Sequence, residues 1–235
     1  MILERAGAGV DIVRLDRPDK RNALDSPTLA EFVAVLDDVA ADPDLRVLVI
    51  STTNARAFCA GADISEQLDR AGGVARMALF CRMYSTIEAF PVPTIAVCVG
   101  DCVGAGAEII AGCDLRVGGD NLKLAWAGAR LGVPVGPARL PPLIGVSRAK
   151  ELVFTGRVLT MPEAEHLGLL HRTSSANQAE AVARDLAAAI AAQSPTGVRV
   201  IKQMFRELDA TSARVSYENE LLMDFQEHGG GLPTG

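Results

Sequence analysis

The run Pro93–Asp114, PTIAVCVGDCVGAGAEIIAGCD, constrains this chain most, because a strand, a glycine loop and a helix start follow one another within it. Thr94–Val99 is a short apolar run, the pattern of a parallel strand buried on both faces. Gly100, Gly104 and Gly106 then permit a tight turn that offers bare backbone N–H groups, and a helix beginning near Ala107 adds the positive end of its dipole. Glu108 sits on that helix among alanines and isoleucines. A carboxylate so placed is either capped or ion-paired, or it holds its proton to higher pH and can carry protons near neutrality. The residues alone leave both readings open. A dinucleotide fingerprint is not met, since G-x-G-x-x-G would require glycine where Ile109 stands.

Upstream, Val10–Leu15 alternates as a strand does, and Arg17–Asp25 is a turn-rich connection carrying Arg17, Lys20 and Arg21. Ser26-Pro27 reads as a helix start, with Leu29, Phe32, Val33, Leu36 and Val39 on one face. Val47–Ser51 is a second buried strand. Ala55–Asp63 is a second glycine-bearing loop, with Asp63 placed to cap a helix starting near Ile64. Helical spacing returns over Val74–Ala89 and ends before Pro91 and Pro93. This alternation predicts an α/β fold whose parallel strands are covered by helices, and ligands gather beyond the carboxyl ends of such strands. Both glycine loops follow a strand, so they could face one site.

Downstream, Leu115–Val117 and Leu122–Ala125 read as strands, and Trp126–Ile144 is proline- and glycine-rich, long enough to be a pocket wall. Ser147–Thr155 reads as a helix and Thr160–Glu163 as a capping box. Helices follow over Asn177–Gln193, from Ser194-Pro195, and over Ser212–His228. Leu221, Leu222, Met223 and Phe225 lie close together, which suggests burial against another subunit or the parent domain. The expected division is a core over 1–170, a helical region over 171–228 and a polar tail over 229–235.

A chain of 235 residues, 49% hydrophobic, can bury a sizeable core. Its net charge of −6 argues against a nucleic-acid or acidic-membrane partner, and no apolar run reaches membrane-spanning length. The start MILERAGAGVD does not have the pattern of a signal peptide, so a cytoplasmic location is expected. Five cysteines without a C-x-x-C pair read as reduced buried thiols, and the three histidines lack ligand spacing, so no metal site is expected. G-x-S-x-G, P-loop and H-E-x-x-H patterns are absent from the sequence, leaving serine-hydrolase, nucleotide-hydrolase and metalloprotease chemistry without sequence support.

Arg17-Pro18 with Asn22-Ala23-Leu24, then Ala57-Phe58-Cys59-Ala60-Gly61-Ala62-Asp63-Ile64, then Gly100 with Gly104-Ala105-Gly106-Ala107-Glu108 and Cys113-Asp114, stand in the order found in the enoyl-CoA hydratase/isomerase (crotonase) superfamily. Gly156, Pro162-Glu163-Ala164 and Gly168-Leu169 extend the resemblance over nearly the whole chain. It implies a crotonase-like spiral of repeated ββα units with a C-terminal helical trimerisation region, assembled as a homotrimer or dimer of trimers. It also implies action on acyl-CoA thioesters, with no cofactor beyond the CoA of the substrate. The shared chemistry is stabilisation of a thioester enolate by two backbone N–H groups, which fall here on Ala62 and Ala105. Donors preorganised where charge develops suit that role, one of them at a helix N-terminus. The resemblance sets the adenine beside the backbone around Ala60, Asp63 and Ile64. It sets the phosphates near Arg21, with Arg17, Lys20 and Arg56 as alternates.

The chain also departs from the family pattern. Ala105 stands where glycine is usual, and is expected to keep a negative φ with its N–H facing the pocket. Family hydratases use two glutamates; Glu108 matches the first, but Gly128 stands at the second. The wall Val133–Leu140 looks a few residues shorter than usual, and the basic, phenylalanine-containing C-terminal segment that touches CoA is missing. Trp126, beside the absent glutamate, is a candidate to pack on the acyl group, with a core role as its alternative. One carboxyl cannot divide acid and base roles as two would, yet it can shuttle a proton or help add water in one step. The expectation is an acyl-CoA enzyme of the hydratase/isomerase type with Glu108 transferring protons. The alternatives are another enolate reaction (thioester hydrolysis, decarboxylation, dehalogenation) or a non-catalytic acyl-CoA-binding subunit.

Overall fold

The computed structural model describes residues 1–233; the final two residues of the tail expected over 229–235 lie outside the described residues. Strands β1 (Ile2–Arg5), β2 (Val10–Leu15), β3 (Val47–Thr52), β5 (Thr94–Cys98), β7 (Leu115–Gly119) and β10 (Arg172–Ser174) form one sheet in the order β1-β2-β3-β5-β7-β10. All its pairings are parallel except β1 with β2. A second sheet, ordered β4-β6-β8-β9, holds the short strands β4 (Ala57–Cys59), β6 (Asp101–Val103), β8 (Lys123–Ala125) and β9 (Leu159–Thr160). The chain visits the sheets in turn, β3 then β4, β5 then β6, β7 then β8. Helices α2 (Arg70–Glu88) and α3 (Ala105–Gly112) follow the first two pairs. This is the expected ββα repeat. β4 and β6 lie where the sequence reads as loop, because three residues are too few to show a period.

The central strands are apolar on both faces because both faces are covered. On one side Val10, Ile12, Val47, Val49, Ile95, Val97 and Val117 meet α7 (Ala179–Ala191), whose Ala179, Ala183, Ala187 and Ala191 recur every fourth residue. So narrow a stripe lets the helix lie close to the sheet. On the other side α1 (Ser26–Ala40), α2, α3 and the second sheet enclose the larger core. Helices α4 (Pro141–Ile144), α5 (Val146–Thr155), α6 (Met161–His166), α8 (Pro195–Leu208) and α9 (Thr211–Glu227) complete the described chain.

Helix ends follow side-chain chemistry. Asp25 rather than Ser26 caps α1, its carboxylate accepting from Thr28 N at 3.0 Å, with Pro27 in the first turn. α2 starts four residues before the expected Val74, because Asp69 accepts from Gly72 N at 2.7 Å. Asp63 caps no helix: its carboxylate is taken by the Ser65 N–H (3.0 Å) and hydroxyl (2.6 Å), which hold a turn instead. The capping box at Thr160 and Glu163 forms as read. Within α9, Val215 and Leu222 enter the core against α2 while Leu221 stays 39% exposed, so the chain buries part of the apolar cluster itself. No helix of the described residues is long and apolar enough to cross a membrane.

Candidate active site

The first wall is the loop after β4. The connection Arg17–Asp25 runs beside it and is pinned by Asn22, which is 1% exposed. Its amide donates to Thr52 Oγ1 (2.8 Å) and to the carbonyls of Ala57 and Phe58 (3.0 Å each), and its oxygen accepts from Arg17 N at 2.7 Å. Arg21 and Asn22 adopt left-handed φ of 51° and 54°, which turns the connection sharply. Three backbone bonds then lock the loops together: Ala60 N to Arg21 O (3.0 Å), Leu24 N to Gly61 O (2.8 Å) and Asp63 N to Leu24 O (2.9 Å). Arg76, buried on α2, donates to Asp63 O at 3.0 Å. Among the described residues no acceptor meets the Ala62 N–H, which is left over from this lattice.

The second wall is the start of α3. Gly104 takes the left-handed turn at φ 55°, and Ala105 is the first helical residue and is not among the positive-φ positions. The alanine is therefore unstrained, as expected. Its N–H belongs to the first turn, where helix donors have no internal acceptor, and none meets it among the described residues. The two loops touch through backbone: a Cβ added at Gly61 would stand 3.7 Å from Ala105 N, and one at Gly106 would collide with the Cys59 carbonyl. At the far end of α3, buried Arg116 donates to Ile110 O (3.3 Å) and Cys113 O (2.7 Å), satisfying terminal carbonyls and fixing the helix.

Ala62 and Ala105 line one apolar cavity of about 70 Å³ together with Phe80, Tyr84, Gly128 and Val135. Leu222 of α9 and Leu232 of the tail also line it. Gly128 is glycine for a steric reason: a Cβ there would lie 2.8 Å from both Val133 O and Val135 Cγ1. The segment after it fills the room that a second glutamate would need.

Glu108 lies behind that segment, its side chain fully buried. Oε2 accepts from Arg139 Nη1 at 3.1 Å, while Oε1 has no hydrogen-bond partner. The same Nη1 donates to Glu218 Oε1 at 2.5 Å, and Glu218 Oε2 accepts from Gly136 N (3.0 Å) and Ala138 N (2.8 Å). The guanidinium stands 4.4 Å from the Tyr84 ring centroid. Burial raises the Glu108 carboxyl well above the usual range, the charge of Glu218 adds to this, and Arg139 offsets it only in part. Burial likewise keeps the Tyr84 phenol protonated. Both readings of Glu108 thus meet in one residue, which is ion-paired and also raised.

Glu108 does not line the cavity, because Val133–Ala138 covers it; a Cβ at Gly136 would stand 3.6 Å from Oε1 and 3.3 Å from Trp126 Cδ1. Trp126 is core, 2% exposed and outside the cavity lining, held between Gly136 and the carboxyl. Arg21 is 63% exposed at its side chain, with one partner, Asp101 at 3.1 Å. Arg17 is instead committed to Asp63 (2.7 Å), Asp25 (2.8 Å) and Ala23 O (2.8 Å). The Ser65 hydroxyl and Arg17 hold the Asp63 carboxyl down at about 2. Ile64 is 49% exposed, and the Ala60 and Arg21 backbones meet directly through the Ala60 N–H.

The sequence reading did not single out Arg139 and Glu218. The signal available was an arginine in an otherwise apolar segment and a glutamate spaced i+3 and i−4 from Val215 and Leu222 on the buried stripe of α9. All five cysteines are free. Among the described residues no group of His, Cys, Asp or Glu could hold a metal ion.

Residues 5–229 match the family model described as enoyl-CoA hydratase/isomerase. The chain is 30% identical over 208 residues to a short-chain-enoyl-CoA hydratase of Clostridium acetobutylicum, covering 86% of this chain and 79% of that one. It is 35% identical over 205 residues to the human mitochondrial enoyl-CoA hydratase domain-containing protein 2, covering 83% and 70%. Among solved structures, an enoyl-CoA hydratase from Bacillus anthracis superposes with a TM-score of 0.83 at 28% identity, over 100% of this chain and 98% of the other.

Proposed function

Because the chain belongs to the enoyl-CoA hydratase/isomerase family, we propose that it binds an acyl-CoA thioester with the carbonyl oxygen between the N–H groups of Ala62 and Ala105. The observation that carries this reading is that two N–H groups without protein acceptors sit on the wall of one apolar cavity. As the thioester becomes an enolate, charge gathers on that oxygen, and fixed donors in a dry site stabilise it without reorganising. Glu108 is the proton carrier. For hydration, its carboxylate takes a proton from water as the water oxygen bonds to the β-carbon; the resulting acid returns that proton to the α-carbon. For isomerisation the same carboxyl moves a proton between carbons. A carboxyl raised toward neutrality suits both directions of transfer.

The covering segment Val133–Ala138 has to shift for a substrate carbon to meet Oε1, because the carboxyl is sealed in the form described. The adenine is placed beside Ala60, Asp63 and Ile64 and the phosphates near Arg21, the exposed cation of the connection, with Lys20 and Arg56 as alternates. No cofactor beyond the substrate's CoA is part of this reading. A cytoplasmic location is supported by the free thiols. A homotrimer or dimer of trimers is supported by Val200, Ile201, Met204, Phe205 and Leu208, a row of exposed apolar residues on α8.

A second reading, a non-catalytic acyl-CoA binder, is favoured by the sealed Glu108 and the filled space at Gly128. Mass spectrometry of the protein incubated with mixed acyl-CoA thioesters separates the two. Gain of one water on an enoyl ester, or an isobaric shift in retention, is expected from the main reading. Free CoA would mean another reaction on the same fold, and survival of every ester would favour the binder.

A further inference from the structure

We infer that Arg139 and Glu218 are positioning residues for Glu108, fixing its carboxyl through Oε2 and holding the segment that covers it. The inference rests on the reading of Glu108 as proton carrier given above.

The geometry differs from that of an ion pair built for stability. A guanidinium serves a buried carboxylate best as a two-pronged fork. Arg139 instead places one nitrogen, Nη1, between Glu108 Oε2 and Glu218 Oε1, and leaves Nε and Nη2 without partners. A buried carboxyl oxygen without a partner is costly, and Glu108 Oε1 is in that state. The indole N–H of Trp126, on the same side of Gly136, is likewise unpaired, so Oε1 keeps an acceptor position that a reacting proton can use once the covering segment shifts.

Glu218 supplies the support. Its Oε2 accepts the Gly136 and Ala138 N–H groups, so the residue from α9 grips the covering segment at two points. Its Oε1 orients Arg139, which also rests on the Tyr84 ring. Two carboxylates around one cation carry an excess negative charge in a dry site, and one proton relieves it. Glu218 accepts three hydrogen bonds and Glu108 accepts one, so Glu108 is the carboxyl free to gain and lose that proton. The polar and titratable groups facing the cluster are Tyr84 and Cys81 from α2, Cys59 from β4, Trp126 after β8, Arg139 from the covering segment and Glu218 from α9.

The test follows the Glu108 carboxyl by ¹³C NMR titration and, in parallel, the pH dependence of kcat/KM. It uses the full chain and its Glu218→Gln, Arg139→Lys, Arg139→Met and Glu108→Gln variants. Glu218→Gln keeps an oxygen for the Gly136 and Ala138 N–H groups and replaces with NH2 the oxygen that accepts from Arg139; thermal unfolding establishes that it folds. It is expected to lower the Glu108 midpoint by about one pH unit and move the matching limb of the rate profile with it. Arg139→Met, where it folds, moves both the other way, and Arg139→Lys returns them toward the parent values. A Glu108 midpoint and a rate limb both unmoved in Glu218→Gln, while Glu108→Gln has lost turnover, would overturn the inference alone. Full turnover in Glu108→Gln would overturn the reading on which it rests.

Discussion

Gly106 meets the carbonyl oxygen of Cys59 so closely that no side chain fits between them. This contact joins the first turn of α3 to β4, and so sets Ala105 beside Gly61 and Ala62. Gly106→Ala is expected to push the two loops apart and destabilise the fold by about 1–3 kcal/mol, the usual range for overpacking. Denaturant melts check the stability. The same variant should lose turnover out of proportion to its unfolded fraction, because it separates the two N–H groups proposed to meet one oxygen.

Asn22 anchors the connection that leaves the Ala62 N–H without an acceptor. Asn22→Ala orphans the carbonyls of Ala57 and Phe58 and puts alanine at φ 54°. A loss of about 2–3 kcal/mol is expected from those unmet bonds and the strained backbone. Thermal unfolding of the variant measures it.

How much of this was legible beforehand depends on the range of the interaction. Val10–Leu15, the Thr160 capping box and the Gly104–Glu108 turn were readable because their determinants are neighbours in sequence. Short strands such as Ala57–Cys59 were not, since they are fixed by pairing with Asp101–Cys102 across the chain. Asp63 read as a helix cap because an aspartate before an apolar residue has that form; Ser65, two residues on, takes one carboxylate oxygen into a turn, and Arg17, 46 residues away, holds the other. Glu108 was recognisable as a buried carboxyl, but its partners Arg139 and Glu218 come from segments 31 and 110 positions on, a distance no local motif spans. That Gly128 has no room for a side chain follows from where Val133 and Val135 fold back, which composition does not encode.

Arg21 reaches solvent beside the Ala60 backbone, with Asp101 as its side-chain partner among the described residues. Arg21→Ala is expected to raise KM for CoA esters roughly 2- to 10-fold with kcat unchanged, as loss of uniform binding by one exposed charge does. The effect should shrink as salt is added. Steady-state kinetics at two ionic strengths measure both.

Glu108 titrates higher in the folded chain than in the unfolded one, so the proton it carries stabilises the fold at low pH. That contribution is fully present below the unfolded carboxyl value of about 4.3 and is lost as pH rises through the raised value. Asp63 works in the opposite direction: its carboxyl is held at about 2, so its contribution is present above the ordinary range and is lost as pH falls. Stability is therefore expected to decline from mildly acidic toward alkaline pH in the parent, and Glu108→Gln should flatten that decline while leaving the acid side unchanged. Denaturant midpoints across pH check the difference.

Formation of a thioester enolate between Ala62 and Ala105, with Glu108 moving the proton, is tested most directly in deuterated water with a saturated acyl-CoA, which can exchange but cannot be hydrated. The account expects the ester to gain deuterium at its α-carbon, read as added mass in the acyl fragment, with the parent protein and not with Glu108→Gln. An ester that binds and stays unlabelled with the parent, or that labels equally with Glu108→Gln, would contradict it.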